Sequence, residues 1–283
     1  MSLIAADIGD PELDLASDVE AILNYTCRMA ARPVNYTFDP PPGIPRNSGV
    51  ADPRVVTILD ARYRAGLGLD RSGFELLHHH STLGDWDSYA DADLVKGVVY
   101  PEAAAAIRAR TGASKVLIFD HTLRDSSAAG ATNGLREPVR RVHDDQTVHS
   151  APMRVRRHLS EEEASWRLQR RFAIINLWRP IGGRVQQAPL AVCDARSIDV
   201  DDLIPCDHVY PDWIGETYAF AFSPRHRWYW YPRQAPHEAL LLKIFDSATD
   251  GAARLTAHTA FDIHNDFRTA PRRSIELRAL VCW

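Results

Sequence analysis

The stretch Arg141-Val-His-Asp-Asp-Gln-Thr147 decides how the chain is interpreted, because it places His143 and Asp145 two residues apart. On a β-strand, residues two apart project from the same face, so an imidazole and a carboxylate would face the same space. These are two of the three ligands that hold a non-haem Fe(II) ion when a second histidine comes from elsewhere in the fold. His258 is the best candidate for that histidine. A His-x-Asp pair alone is most often a hydrogen-bonded surface pair, so its meaning depends on the rest of the chain.

Length and composition are typical of a globular protein. The chain has 283 residues, 45% of them hydrophobic and 25% charged, which is enough to bury a large core. We expect a single domain, 1–283. A net charge of -4 provides no basic field, so neither nucleic acid nor an anionic membrane is an expected partner.

The termini and cysteines predict where the protein resides. The N-terminus has no basic segment followed by an apolar one, and no run of about 18 apolar residues could span a bilayer. The four cysteines lack metal-type spacing. Reduced thiols in a cytoplasmic protein are therefore expected.

Helical patterns lie mainly in the first half of the chain. The clearest helix is predicted for Tyr100–Arg110, with Pro101 in its first turn and Gly112 beyond its end. A short helix is predicted near Val19–Tyr25, and the proline-rich segment 33–50 is expected to be irregular. The histidine triplet 78–80 is not interpreted as a metal site, because adjacent residues point in different directions.

The second half alternates between strands and turns, which is typical of a β-sandwich or barrel. Ser160 and Glu163 have the spacing of a capping box before a helix to about Arg170. We predict a mainly β protein with flanking helices (α+β), in which a helix-containing part at about 1–135 packs on a barrel core at about 136–283. Strands are predicted at 55–60, 115–120, 172–178, 190–194, 218–223, 228–231, 239–245, 255–261 and 274–282.

The three candidate ligands have the order that a jelly-roll iron site requires. His143 and Asp145 lie at the first strand of the β-rich half, and His258 lies on its penultimate strand. Two ligands would come from one strand and the third from across the barrel mouth, leaving coordination positions open. The alternative is that His258 is a hydrogen-bonded barrel histidine and Asp145 a turn residue.

The last strand carries a polar face. Arg272, Ser274, Glu276 and Arg278 alternate with Arg273, Ile275 and Leu277. Arginine grips a carboxylate with two parallel hydrogen bonds and a neighbouring hydroxyl adds a third, so this face fits 2-oxoglutarate, whose keto-acid end would chelate iron. The alternative is a solvated face on which Glu276 pairs with an arginine.

Three further residues are candidates for contact with substrate. Asn176 and Arg179 end a strand that could open into the cavity, although Arg179 could instead pair with Asp194. Lys243 interrupts an apolar strand, so it is either an inward cation near the co-substrate or, as we favour, exposed to water.

A series of segments resembles a known family. They are 142–147 (VHDDQT), 175–180 (INLWRP), 189–197 (PLAVCDARS), 215–218 (GETY), 226–229 (HRWY), 242–247 (LKIFDS), 257–261 (AHTAF) and 272–278 (RRSIELR). In this order the chain resembles the AsaB/CmcJ-type hydroxylase/desaturase family from about Asn24 to Val281. The fungal gibberellin desaturase and the cephamycin 7α-hydroxylase component belong to that family.

The resemblance implies a double-stranded β-helix (jelly-roll, cupin-like) oxygenase that uses Fe(II), 2-oxoglutarate and O2. It would hydroxylate, desaturate or cyclise a small secondary metabolite or amino-acid-derived molecule. His143, Asp145 and His258 would be the iron ligands, and Arg272 with Ser274 would hold 2-oxoglutarate, with Arg278 as a rival. Family members often have His-Val-Asp-Gln where this chain has His-Asp-Asp-Gln, and the extra carboxylate, Asp144, is expected to point away.

Two other functions stay open at this level. A catalytically inactive cupin-like small-molecule binding protein would keep the arginine strand without needing three metal ligands. A zinc hydrolase with the same ligands has only Asp144 as an available general base. The substrate, the reaction outcome and the oligomeric state stay open, a homodimer being one option, and the segments 33–50 and 125–136 are expected to form a lid.

Overall fold

Two facing β-sheets form the framework, in a computed structural model that describes residues 18–127, 130, 135–263 and 269–283. One sheet has nine strands in the order β1-β3-β11-β8-β13-β6-β10-β9-β2, and the other has five in the order β4-β12-β7-β14-β5. The strands are β1 (Val19–Thr26), β2 (Val34–Tyr36), β3 (Ala51–Asp60), β4 (Phe74–His78), β5 (Lys115–Asp125), β6 (His143–Asp144), β7 (Phe172–Pro180), β8 (Leu190–Cys193), β9 (Leu203–Val209), β10 (Ile214–Phe220), β11 (Trp228–Trp230), β12 (Glu238–Asp246), β13 (His258–Ala260) and β14 (Arg273–Cys282). This is the predicted jelly-roll core.

The helices are short and lie outside the sheets or at their ends. They are α1 (Trp86–Tyr89), α2 (Ala92–Leu94), α3 (Tyr100–Thr111), α4 (Ser150–His158) and α5 (Glu161–Arg167), with a π-helical turn, Val95–Val99, between α2 and α3, and 3-10 turns at Ala61–Tyr63, Ala195–Ser197 and Val200–Asp202. Helix α3 begins and ends as predicted, with Pro101 in its first turn and Gly112 in a left-handed conformation (φ 68°) after it. No helix in the described residues is long and apolar enough to cross a membrane.

Strand β7 is buried on both faces, which explains its nearly unbroken apolar sequence. Its even-numbered residues, such as Ile174 and Trp178, pack between the two sheets. Its odd-numbered residues, such as Ile175 and Leu177, pack under the helical layer with Ile107 of α3. This alternation also decides which polar side chains of β7 can reach the space between the sheets.

The helix predicted near Val19–Tyr25 is wrong, because this segment is strand β1. Its buried residues, Ala21, Leu23 and Tyr25, alternate with more exposed ones, and β1 pairs with β3 in antiparallel register. The expected boundary near residue 135 does not separate the sheets either. Strands β1 to β3 belong to the nine-stranded sheet, and β4 and β5 belong to the five-stranded sheet.

The helix predicted after Ser160 is present and ends at Arg167. The Ser160 hydroxyl accepts a hydrogen bond from the Glu163 backbone N–H at 3.3 Å, as a cap should. The Glu163 carboxylate contacts the Lys115 ammonium at 2.7 Å instead of completing the capping box. The sequence does not predict strands β2, β4 and β9 or helix α4, and β2 lies within the segment 33–50 that was expected to be irregular.

Candidate metal centre

Strand pairing brings the two candidate histidines together. Strands β6 and β13 are antiparallel neighbours, and His143 lies directly opposite His258. Their ring centroids are 4.3 Å apart. Cross-strand partners have the closest side chains in a sheet, so the register of β6 on β13 creates this pair.

Asp145 follows β6 directly and completes the group. Its Oδ1 lies 3.7 Å from the His143 Nε2, and one donor atom from each of His143, Asp145 and His258 lies within 4.8 Å of the others. Two imidazoles and one carboxylate in this arrangement match the facial triad of non-haem Fe(II) sites.

Each imidazole has one ring nitrogen engaged and the other available. The His143 Nδ1 lies 2.8 Å from the Arg141 carbonyl oxygen, and the His258 Nδ1 lies 3.3 Å from the Thr256 carbonyl oxygen. A carbonyl oxygen accepts an N–H, which leaves the lone pair on Nε2. The His258 Nε2 is buried and has no hydrogen-bond partner among the described residues. A metal ion would satisfy it, so the donor set fits the ion that it predicts.

The electrostatic environment favours the forms that bind a metal. Burial, reinforced by the nearby His258, lowers the pKa of His143 to about 3, which keeps its imidazole neutral. Burial acts to raise the pKa of Asp145, but the opposing contacts, led by the Arg278 charge, lower that pKa. Ligand imidazoles must be neutral and ligand carboxylates ionised.

Two side chains hold the Asp145 carboxylate by one of its two oxygens. Its Oδ2 accepts a hydrogen bond from the Asn176 Nδ2 at 2.9 Å and from the Arg278 Nε at 3.2 Å. Asn176 therefore lies at the centre, where it contacts a candidate ligand, and its contact with substrate stays a prediction. Holding one carboxylate oxygen leaves the other directed at the histidines.

Asp144 lies apart from this group. It is fully buried, and neither of its carboxylate oxygens has a hydrogen-bond partner in the described chain. Burial and the neighbouring Asp145 charge raise its pKa well above the ordinary value. The three-donor group contains Asp145 and not Asp144.

Arg272 and Ser274 lie buried between the sheets with donors to spare. One Arg272 nitrogen donates to the Ala188 carbonyl oxygen at 2.5 Å, and the guanidinium lies 5.4 Å from the centre of the Trp178 ring. The Arg272 Nε and the Ser274 Oγ are buried and have no partner in the part of the chain that is described. Burial and the nearby Arg124 charge lower the pKa of Arg272 to about 9, although Glu276 acts to raise it, and Arg272 forms no ion pair within the described residues.

Arg278 is occupied in a different way. Its guanidinium contacts the carboxylates of Glu276, Asp120 (3.1 Å) and Asp145 (3.2 Å), and donates to the Thr122 hydroxyl at 2.9 Å. Its donors are thus committed to protein groups, which leaves Arg272 as the arginine with free hydrogen-bonding capacity.

The alternative pairing of Arg179 with Asp194 and the exposed position expected for Lys243 are both wrong, while contact of either residue with substrate stays a prediction. Arg179 does not pair with Asp194, whose carboxylate binds Arg196 and Arg227. Arg179 shares the outward parity of Ile175 and Leu177 on β7 and contacts the His79 ring instead.

Lys243 is buried, not exposed: its side chain is 1% accessible and its ammonium pairs with Asp70 at 2.6 Å and Asp246 at 2.7 Å. A buried lysine is stable only with such partners. Both carboxylates belong to a structural ion cluster, and neither is one of the candidate metal ligands.

Comparisons with known proteins agree with this geometry. A family model described as YDMC, "Oxidoreductase/YMDC permease-like domain", matches residues 23–282. The hydroxylase/desaturase efuI of Hormonema carpetanum is 33% identical over 252 residues, which cover 81% of this chain and 83% of that protein. The Fe(II)/2-oxoglutarate-dependent dioxygenase nvfI of Aspergillus novofumigatus is 32% identical over 255 residues, which cover 87% and 89%. A solved structure of the iron and alpha-ketoglutarate-dependent endoperoxidase NvfI aligns with a TM-score of 0.84 and 28% identity, over 94% of this chain and 98% of that one.

The chain belongs to the hydroxylase/desaturase family of Fe(II)/2-oxoglutarate-dependent oxygenases. The resemblance seen in the sequence is confirmed, and so is the jelly-roll fold. Small-molecule substrates fit this family.

This oxygenase has a cavity of about 640 Å³ beside the candidate ligands. His143 and Asp145 lie in its wall, and Trp213 and Tyr210 form an aromatic part of it, with their rings stacked 4.2 Å apart. The wall also contains six arginines, which are Arg124, Arg136, Arg141, Arg154, Arg157 and Arg278.

Sequence reasoning missed most of this wall. Arg154 and Arg157 belong to helix α4, which was not predicted. Their spacing of three residues places both on one face of a helix, and that was the available signal. Of the expected lid, residues 128–129 and 131–134 lie outside the described chain.

A second histidine group lies elsewhere in the oxygenase. Donor atoms of His78, His237 and Glu238 lie within 4.8 Å of one another, and the His80 ring stacks on His237. The side chains of the triplet 78–80 alternate as on a β-strand. His78 and His80 stack on His237, whereas His79 contacts Arg179 on the other side. Arg62 holds both oxygens of the Glu238 carboxylate, at 2.7 and 2.8 Å.

Proposed function

We propose that His143, Asp145 and His258 hold Fe(II), and that the enzyme hydroxylates, desaturates or cyclises a small secondary-metabolite or amino-acid-derived substrate by removing hydrogen from a C–H bond. The observation that carries this proposal is the convergence of three donors within 4.8 Å around a buried, unpartnered His258 Nε2. The bound ion supplies oxygen activation, coupled to the decarboxylation of 2-oxoglutarate to succinate and CO2.

Arg272 and Ser274 are proposed to bind the distal carboxylate of 2-oxoglutarate. Support comes from the buried Arg272 Nε and Ser274 Oγ, which have no partner in the described residues. A carboxylate would accept hydrogen bonds from both and neutralise the guanidinium. Arg278, by contrast, is assigned to the orientation of Asp145, because its donors already contact four protein groups.

The remaining groups are proposed to position the ligands. The Arg141 and Thr256 carbonyl oxygens hold the His143 and His258 Nδ1 atoms, so that both Nε2 atoms face the same point. Asn176 fixes the Asp145 Oδ2. This prior alignment means that little rotamer freedom is lost when the ion and the co-substrate bind.

The other proposals concern the protein as a whole. We infer that residues 1–283 act as one domain in the cytoplasm, where thiols stay reduced; all four cysteines, Cys27, Cys193, Cys206 and Cys282, are free. A zinc hydrolase would need a general base beside the ion, and Asp144 lies outside the donor group.

The test is metal-dependent turnover of 2-oxoglutarate. Purified full-length protein with Fe(II), 2-oxoglutarate and O2 should form succinate even without substrate, and replacement of Fe(II) by Zn(II) should abolish this reaction. Affinity for 2-oxoglutarate should also rise when Fe(II) is present. Affinity that is indifferent to the metal, with no succinate formed, would favour the inactive binding protein.

A further inference from the structure

The described cavity wall contains more arginines than carboxylates, and binding of the co-substrate does not account for this excess of positive charge. The described wall contains two carboxylates, Asp120 and Asp145, and both contact Arg278. Glu216, at the adjoining pocket, is paired with Arg32. The remaining wall arginines form no ion pair with a carboxylate within the described chain.

Arg124 lies near Arg272, in the region proposed to bind 2-oxoglutarate. Arg141 donates to the Gly49 carbonyl oxygen at 2.9 Å and to the Asn47 Oδ1 at 3.4 Å, both of which are neutral. Arg154 and Arg157 lie over the Trp213 ring, with their guanidinium carbons 5.1 and 4.7 Å from its centre. Four cations of the cavity wall, Arg136, Arg141, Arg154 and Arg157, therefore have no carboxylate partner in the described residues.

Arg154 and Arg157 lie close to each other, and both line the cavity whose wall contains Asp145. Burial is the main cause that lowers the pKa of Arg154. The charges of Arg157 and Arg278 also lower this pKa, whereas Tyr210 and Asp145 act to raise it. Arg154 is partly buried and Arg157 is exposed, and the repulsion between their like charges is relieved when an anion joins them. Both guanidinium groups contact the Trp213 ring, and this cation–π contact restricts their movement, which reduces the entropy lost on binding.

The iron centre itself does not supply that anion. The Fe(II) ion with Asp145 and doubly ionised 2-oxoglutarate carries about one negative charge in total, which the Arg272 guanidinium balances. The positive charge of Arg136, Arg141, Arg154 and Arg157 is therefore available to an anionic substrate.

We infer that the substrate is an organic anion whose carboxylate or phosphate group binds Arg154 and Arg157 beside Trp213, so that its reacting C–H bond faces the site of His143 and Asp145. This inference rests on the proposed function, because it concerns the same site. The planar guanidinium donates two parallel hydrogen bonds to such an oxyanion, and Trp213 and Tyr210 contact the apolar part of the molecule. A substrate without an anionic group would leave both arginines unpaired.

The experiment uses full-length protein saturated with Mn(II) and N-oxalylglycine, an inert 2-oxoglutarate analogue, so that the co-substrate site is filled. Calorimetric titrations compare phthalate, isophthalate and phenyl phosphate with the dimethyl phthalates. At least one anion should bind about tenfold more tightly than the neutral esters, and that affinity should fall with added NaCl. Tighter binding of phenyl phosphate than of either acid would assign a phosphate group, and the reverse would assign a carboxylate.

Variants locate the binding site of the anion. Arg154→Gln and Arg157→Gln should each weaken its binding about tenfold, without changing the affinity for N-oxalylglycine. Arg170→Gln is the matched control, because the Arg170 guanidinium also lies over a tryptophan, Trp166, at 4.1 Å but does not line the cavity. Equal binding of anions and esters, or unchanged binding in both variants, would overturn the inference.

The two proposals fail in different readouts. If the iron proposal is wrong, the protein forms no succinate from 2-oxoglutarate while discrimination between anion and ester persists. If the substrate inference is wrong, succinate is formed and the esters bind as well as the anions.

Discussion

His143 and His258 are direct cross-strand partners on β6 and β13, with ring centroids 4.3 Å apart. The pair depends on the register of these two short strands, because a slip of one residue would turn one imidazole to the opposite face. Both strands belong to the nine-stranded sheet, while Asn176 and Arg278, which hold Asp145, belong to the five-stranded sheet. The candidate centre therefore lies where the two sheets meet.

Loss of the Asn176 amide should weaken iron binding without removing a ligand. Asn176→Ala leaves the Asp145 Oδ2 with Arg278 as its remaining described partner, so iron affinity should fall about tenfold. Anaerobic Fe(II) titration measures this affinity, and Asn47→Ala, a change in the cavity wall away from Asp145, is the control. Equal affinity in wild type and Asn176→Ala would contradict the positioning role.

The two arginines of the polar face should affect different parameters. Arg272→Gln should raise the KM for 2-oxoglutarate about tenfold or more and leave iron affinity intact, since its free donors are assigned to the co-substrate. Arg278→Gln should instead lower the affinity for Fe(II), because Arg278 holds the Asp145 carboxylate. The exposed neighbour Arg273, which pairs with Asp125 at 3.1 Å, supplies the control Arg273→Gln. The reverse pattern would exchange the two assignments.

Lys243 should matter for stability and not for chemistry. Lys243→Met leaves the buried Asp246 with Arg171 as its remaining described cation, so the free energy of unfolding should fall by about 3 kcal/mol. Urea unfolding measures this change, and the exposed Lys96→Met should have little effect. The KM for 2-oxoglutarate should not change. A rise in this KM without a loss of stability would show that Lys243 contributes to the co-substrate site.

The same cluster should make stability depend on acid pH. Burial acts to raise the pKa of Asp246, but Arg171 and Lys243 outweigh it and lower that pKa, with the Ala248 N–H and Asp70 also facing the carboxylate. Because the folded pKa lies below the unfolded value of about 3.9, this stabilisation is present above pH 4 and is lost as pH falls through the folded pKa. Between pH 7 and pH 3, the free energy of unfolding measured in urea should decrease less for Asp246→Asn than for wild type. Parallel curves for the two proteins would show that the cluster contributes nothing to acid stability.

The sequence predicted the local parts of the candidate centre, whereas the position of His258 depends on the pairing of β13 with β6. Strand spacing relates His143 to Asp145, and alternation relates Arg272 to Ser274. The same rule would have assigned Arg179 correctly, since it lies an odd number of residues from Asn176 on one strand and must face away from it.

Other features depend on distant parts of the chain. Lys243 is explained by Asp70, which comes from a loop far away in sequence, and β12 has an irregular register between Lys243 and Phe245. Strand β1 is stabilised by its pairing with β3, which overrides the helical appearance of its sequence. The cavity arginines of α4 become meaningful only beside Trp213.

The most direct test of the central claim is the number of Fe(II) ions bound per chain under anaerobic conditions. Wild type and Asp144→Asn should bind about one ion, because Asp144 lies outside the donor group. His143→Ala and Asp145→Ala should bind none at the same concentrations and form no succinate. Wild-type iron content and succinate formation in either alanine variant, in a folded protein, would contradict the assignment of this centre.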